Sequence, residues 1–166
     1  MKEISFRTDI LPLKDKLFRL ALRVTQGREE AEDIVQDTLL RMWNDREKWT
    51  DIDNIENYSL TICRNLALDL LRHHEHRNSS LDESVHDQKD SSPMADEEMI
   101  RQERMLMVRM AIDGLPEKQR TAIQLRDIEG KSYKEIAEVM NISEADVKVT
   151  IFRGRETLRE KLMANG

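Results

Sequence analysis

SYKEIAEVMNISEADVKVTIFRGRETLREK, residues 132–161, holds two helix starts with a very short break between them. Ser132 stands three residues before Glu135, and Ser143 three before Asp146. Each pair has capping-box spacing: the hydroxyl accepts an orphan backbone N–H of the first turn and the carboxylate reaches back to the cap. Helical spacing predicts that the first helix buries Ile136, Ala137 and Met140. The second should bury Val147, Ile151 and Leu158 and carry basic residues on its other faces. A short helix, a tight turn and a longer basic helix make a helix-turn-helix, whose second member is shaped to enter a DNA major groove. Ala137 suits a close crossing, where a large side chain would push the helices apart. Helix pairs are common in all-α domains, so pattern alone also admits an ordinary packed pair.

The remaining composition predicts an all-α chain. Its 166 residues make one ordinary domain or two small ones. Gly and Pro are scarce, at five and three, while good helix formers dominate. No run approaches bilayer-spanning length, and Lys2, Glu3, Arg7 and Asp9 interrupt any signal-peptide pattern, so no membrane insertion is expected. The single cysteine, Cys63, excludes an internal disulfide framework and suits a reducing cytoplasm. A net charge of −6 looks wrong for a DNA binder. Between residues 78 and 98, however, seven acids stand against Lys89 alone, so this stretch carries the whole imbalance and the remainder is neutral.

Taken in order, residues 13–25 read as an amphipathic helix over Leu17, Leu20, Ala21 and Val24, which Gly27 can end. Residues 28–43 read as a second helix. Ala31, Ile34, Val35, Thr38, Leu39 and Met42 face inward, and Glu29, Glu32, Asp33, Gln36 and Asp37 face outward. That outer stripe is either a solvated face or, with Leu40 beside it, a dock for a basic partner helix. Residues 45–56 read as a loop in which Trp49 is a core anchor or a wall of a base pocket. A third helix over 55–72 has an inner stripe of Ile55, Tyr58, Ile62, Leu66 and Leu70. Its polar ridge of Asn65, Asp69, Arg72 and His76 carries groups able to read bases or hold phosphate. Residues 79–98 lack apolar periodicity and read as a flexible acidic linker. His73, His74 and His76 lack the supporting ligands of a metal site, and no cofactor or metal is expected. Beyond the linker, residues 99–113 read as a helix with Ile100, Met105 or Leu106, Val108 and Ile112 inward. Pro116 opens another helix running to about residue 128, and Gly130 closes it.

Three stretches in this order carry a family resemblance: AEDIVQDTLLRMW (31–43), ENYSLTICRNLALDLLRHHEHR (56–77) and LPEKQRTAIQLRDIEGKSYKEIAEVMNIS (115–143). Together, around an acidic linker, they resemble the extracytoplasmic-function (ECF) sigma factors, bacterial initiation factors that direct RNA polymerase to promoters. The resemblance covers nearly the whole chain. It implies a region 2 domain over residues 1–77, an acidic linker over 78–98 and a region 4 domain over 99–166 ending in the helix-turn-helix.

The resemblance also implies residue roles. Glu32, Asp33, Gln36, Asp37 and Leu40 would dock on the β′ coiled coil of core RNA polymerase. The loop bearing Trp49 and Asn54 would accept a base flipped from the minus-ten element. Asn65 and Asp69 would face the nucleotides just upstream, with Arg64, Arg72 and Arg77 on phosphates. In the second domain, Arg120 and Lys134 would touch the DNA backbone. Ala145, Lys148, Val149, Phe152 and Arg153 would lie in the minus-thirty-five major groove. The polymerase β flap and an anti-sigma factor are further implied partners. Three positions depart from the family's pattern. Val149 replaces a hydroxyl donor, Gly154 stands where alanine is usual, and Asp146 lies near the DNA. The rival readings are a stand-alone helix-turn-helix regulator, which leaves the first domain unexplained, and a protein-binding helical adaptor, which leaves the arginine–asparagine ridge unexplained. An enzyme is not expected: the chain has no Gly-rich phosphate loop and no nucleophile–base pair.

Overall fold

A computed structural model of the chain describes residues 3–77 and 96–165; the expected linker falls largely outside the described residues. Among them every regular element is helical. The helices are α1 (Lys14–Thr25), α2 (Arg28–Asn44), α3 (Ile55–Arg77), α4 (Asp96–Asp113), α5 (Glu117–Ile123), α6 (Tyr133–Met140) and α7 (Glu144–Asn165). The fold is all-α, with two helical regions on either side of the undescribed stretch.

In the first region α1 and α2 bury the apolar faces their periodicity predicts. Their junction differs from expectation. Gln26, not Gly27, takes the left-handed conformation at φ 63°, and Gly27 is the extended residue that starts α2. Short helical turns over Phe6–Leu13 precede α1, with Ser5 capping the first of them and Ile10 fully buried. These turns are too short to show a helical period, so pattern reading misses them. The segment read as a loop also coils, as a tight helical turn over Arg46–Asp51. Asn54 then caps α3, its Oδ1 accepting the Asn57 N–H at 2.9 Å.

The predicted inner stripe of α3 is rotated. Leu60, Cys63 and Ala67 are fully buried, while Ile55, Tyr58, Ile62, Leu66 and Leu70 are half-buried. The reason is that α3 is covered on more than one side: α1 and α2 pack on it, and α6 of the second region packs on it too. A single-stripe reading assumes one buried face.

The second region begins earlier than expected. Asp96, Glu97 and Glu98 are not linker but the first turn of α4, where acids favour the helix dipole. The inward face predicted for α4 is largely absent. Ile100, Met105, Leu106 and Val108 are exposed, and only Ala111 and Ile112 are buried. Gly130 closes the turn after α5 at φ 74°, as expected. In α6 the buried residues are Ile136, Val139 and Met140, with Ala137 only half-buried. The Ser132–Glu135 capping box is complete, and the Ser132 N–H draws the Glu135 carboxyl below its ordinary range. At α7 only half of the second box forms. The Asp146 N–H donates to Ser143 Oγ at 3.0 Å, but the Asp146 carboxylate turns to Lys118 and Thr150. Val147 and Ile151 are buried as predicted, and Leu158 packs at the edge of the core. Gly154 faces α5 so closely that an added Cβ would lie 2.6 Å from Ile123 Cδ1.

One continuous apolar cluster joins the two regions, running from Leu17, Leu20 and Cys63 to Ala122, Leu125, Ile136 and Met140. Polar bonds surround it. Arg19 makes a two-pronged pair with Glu129, at 2.8 Å on each prong. Arg23 reaches Gln124 and Asp113, and Asn57 donates to Glu138 at 2.8 Å. Glu56 takes both Lys16 and Lys131. The Arg120 guanidinium is buried and donates to the carbonyls of Arg23, Val24 and Leu115 at 2.8, 2.7 and 3.0 Å. Two of these are terminal carbonyls of α1, which have no partner within their own helix.

Two outcomes are expected at these contacts. Arg120→Ala strips partners from three carbonyls, so thermal denaturation should show a loss of about 3 kcal/mol, or roughly 10 °C in Tm. An unchanged Tm would show that the fork contributes nothing. The second concerns pH. Burial alone would raise the Glu129 carboxyl, but hydrogen bonds from Arg19 and Gln124 outweigh it and hold the group low. Glu56 is likewise pushed up by burial and pulled further down by Lys131 and Lys16. A lowered folded pKa stabilises fully above the unfolded value near about 4.3, and the contribution is lost as pH falls through the folded value. Tm should therefore hold from pH 7 to about 5 and fall below that, and Glu129→Gln should shallow the decline.

Candidate nucleic-acid and protein interfaces

The acidic stripe of α2 is entirely available. Glu32, Asp33, Gln36, Asp37 and Leu40 are exposed, Leu40 at 61%. They share one side because Ala31, Ile34, Val35, Thr38 and Met42 commit the other to the core. An uncovered leucine ringed by acids is a surface made for a basic, partly apolar partner. Trp43, one turn from Leu40, is also largely exposed and extends the patch. Its helical spacing from Leu40 is the sequence signal for this.

The residues expected at the minus-ten element divide into two sets. Asn65, Asp69 and Arg72 are exposed along the outer side of α3, as the polar ridge predicts. The Arg77 side chain lies outside the described residues. Trp49 is the first correction. It is 7% exposed, packs with Ile10 and Met42, and donates its indole N–H to the Met42 carbonyl at 3.1 Å. It stands 6.5 Å, ring to ring, from Phe6, a neighbour that the turns over Phe6–Leu13 bring in. A ring so covered, with its one donor engaged, is a core anchor and not a pocket wall. Asn54 is spent on capping α3 and on Glu135, at 3.2 Å. Arg64 is the second correction. Its guanidinium is buried against Glu117, which it meets at 3.1 Å, and the Met140 carbonyl, so it presents nothing to a phosphate in this arrangement. Cys63 is sealed in the core, and burial pushes its thiol up to about 12, which removes it from thiolate chemistry.

In the second region the face of α7 expected to meet DNA is open. Ala145, Lys148, Val149, Phe152 and Arg153 are exposed on one side, Phe152 at 64%, and Lys134 of α6 is exposed nearby. Val147, Ile151 and Gly154 fix this face by committing the opposite one to α5 and α6. Asp146 does not present a free charge. A hydrogen bond from Lys118 at 3.0 Å, with another from Thr150, lowers its pKa and neutralises it locally. Arg126 and Lys148 flank the Tyr133 ring, at 4.3 and 5.6 Å from its centre, adding a basic–aromatic cluster beside Lys134. Spacing could not show that cluster, since its members sit on three elements. Arg120 is the third correction: it is buried beneath this face and holds α1.

No described helix is long and apolar enough to cross a membrane. Comparison with known proteins agrees with the order of surfaces along the chain. Residues 10–77 match Sigma-70 region 2, and residues 105–158 match Sigma-70, region 4. The ECF RNA polymerase sigma factor SigW of Bacillus subtilis is 31% identical over 90% of this chain and 84% of its own length. RNA polymerase sigma-H factor of Pseudomonas aeruginosa is 31% identical over 93% of this chain and 85% of its own. Other relatives are longer. The chain spans 58% of ECF RNA polymerase sigma factor SigE of Mycolicibacterium smegmatis, at 32% identity over 89% of this chain. It spans 37% of the probable RNA polymerase sigma factor RfaY of Xanthomonas campestris pv. campestris. The fold superimposes on the sigma factor RpoE, solved in complex with the anti-sigma factor NepR from Bartonella quintana. The TM-score is 0.78 and the identity 24%, over 97% of this chain and 98% of that one. The chain belongs to the ECF sigma factors of bacterial RNA polymerase.

Proposed function

We propose that this chain binds core RNA polymerase and directs it to promoters carrying minus-ten and minus-thirty-five elements. The observation that carries the reading is the pairing of two uncovered surfaces on a single chain: the acidic, leucine-centred stripe of α2 and the apolar–basic face of α7. Residues 1–77 act as the polymerase-binding and minus-ten domain, 96–166 as the minus-thirty-five domain, and 78–95 as the acidic tether. Glu32, Asp33, Gln36, Asp37 and Leu40 engage the polymerase β′ coiled coil. Asn65, Asp69 and Arg72 take the opened minus-ten strand. The capped α6–turn–α7 unit acts as a helix-turn-helix. It sets Lys148 and Arg153 on phosphates or base edges, and Val149 and Phe152 against apolar groove atoms such as thymine methyls. The uncovered apolar side of α4 suits the polymerase β flap.

An anti-sigma factor is the natural regulator. The Bartonella RpoE structure, which shares this fold, holds NepR, and CnrH was solved with the cytosolic domain of CnrY.

Purified core polymerase should initiate transcription on a subset of genomic fragments only when this protein is added. Absence of protein-dependent initiation on every fragment would sink the proposal. A stand-alone regulator would instead show sequence-specific binding without polymerase. The neutral remainder of the chain releases few counterions, so the free protein should retain little specific DNA. Asp33→Lys combined with Gln36→Lys changes only exposed positions. It should weaken core binding at least tenfold by co-migration or fluorescence anisotropy while the helical signal stays constant. Unaltered affinity would refute the docking assignment for α2.

A further inference from the structure

Sulfur is distributed unevenly over this molecule. The chain has nine methionines. Of the seven among the described residues, Met42 and Met140 are buried and fill core positions, the commoner fate of the residue. The other five, Met99, Met105, Met107, Met110 and Met163, are exposed, Met163 at 74%. All five stand on α4 or on the end of α7. The two helices meet there: Met107, Met110 and Ala111 line an open groove of about 370 Å³ with Lys161 and Ala164. Helical spacing puts Met99 on the same side of α4 as Met107 and Met110, with Leu106 and Ile100 at its flanks.

A surface methionine differs from a surface leucine in one chemical respect. Its thioether is a nucleophile that oxidants reach in proportion to its exposure. The chain's single thiol is out of play, since Cys63 is sealed in the core and burial pushes it up to about 12. Among the described residues, oxidants therefore meet open sulfur only on α4 and the end of α7.

We propose that this methionine cluster is a reversible oxidation site that controls the docking of the second region on core polymerase. The oxidant is a hydroperoxide. A sulfur lone pair attacks its terminal oxygen, and the S–O bond forms as the O–O bond breaks. The departing oxygen takes up the proton that the transferred oxygen gives up, and leaves as water or an alcohol. Sulfur loses two electrons and the peroxide gains them. Each event turns a flexible apolar side chain into a polar sulfoxide. On a face whose apolar area is its means of docking, several such events remove the contact. They need not unfold the region, because none of the five side chains is buried in a core. The effect on docking rests on the sigma-factor reading, whereas the place of oxidation does not.

The folded full chain is treated with hydrogen peroxide and its sulfoxides are located by peptide mass mapping. The five exposed methionines should oxidise at least about tenfold faster than Met42 and Met140, which must wait for local opening. Equal rates would overturn the site. The oxidised chain should bind core polymerase about fivefold more weakly at unchanged helix content, and methionine sulfoxide reductases should restore the affinity. Undiminished affinity, or a loss that reduction does not reverse, would overturn the control of docking. Met99→Leu, Met105→Leu, Met107→Leu, Met110→Leu and Met163→Leu together keep the face apolar and remove its thioethers. Measured against its own untreated affinity, that chain should be indifferent to peroxide. A loss as large as that of the wild type would put the lesion elsewhere and refute the proposal. If the leucine chain fails to fold, reversal by the reductases in the wild type decides. Sulfoxides at the five positions of a chain that binds no core polymerase even when untreated would keep the site and defeat the sigma-factor reading, and with it the docking role.

Discussion

A guanidinium in the protein interior is the constraint on which the arrangement of the two regions depends. The Arg120 charge is taken out of water, and burial lowers its pKa against the opposing pull of Glu117 and Asp113. Such a group is tolerable only if its donors are satisfied. The carbonyls of Arg23, Val24 and Leu115 do this, and in exchange the end of α1 is capped by a residue nearly a hundred positions away. Because those carbonyls belong to region 2 and the arginine to region 4, neither region is completed by its own residues. The apolar cluster could tolerate some sliding, but the fork fixes the angle at which α5 meets α1.

This interdependence explains which features the sequence disclosed. Periodicity placed α1, α2 and the α6–α7 pair because each has a face committed to one neighbour, and the Ser132–Glu135 spacing named a cap that forms in full. The apolar–basic face of α7 and the acidic stripe of α2 were legible for the same reason: they are what remains after a single buried stripe is removed. Cross-region packing defeated the rest. On α3, Arg64 looked like a surface arginine because the residues covering it, Glu117 and Met140, lie more than fifty positions later. Trp49 hides partly behind Phe6, on turns too short to carry a period. On α4 the error ran the other way: Ile100, Met105, Leu106 and Val108, at core-like spacing, are left uncovered.

Charge follows the same logic of place over total. The chain is net acidic, yet Lys148 of α7 and its neighbours Arg126 and Lys134 form a basic–aromatic field, and Asp146 beside that face is matched by Lys118. Carboxylates at the seam are likewise paired and not free. On α2 the acids Glu29, Asp33 and Asp37 stand exposed, where a basic partner helix would be drawn by several acids acting together.

The missing side chain at Gly154 has a consequence for the exposed face of α7. Because α7 rests on α5 there with no Cβ between them, its rotation about its own axis is set by contact with Ile123 and Gln119 rather than by its exposed residues. Turning the helix about that axis would carry the exposed Val149 and Phe152 round with it. The azimuth of α7 is thus stored in the hydrophobic core, so a substitution on the covered side of the helix can redirect the surface it shows on the other.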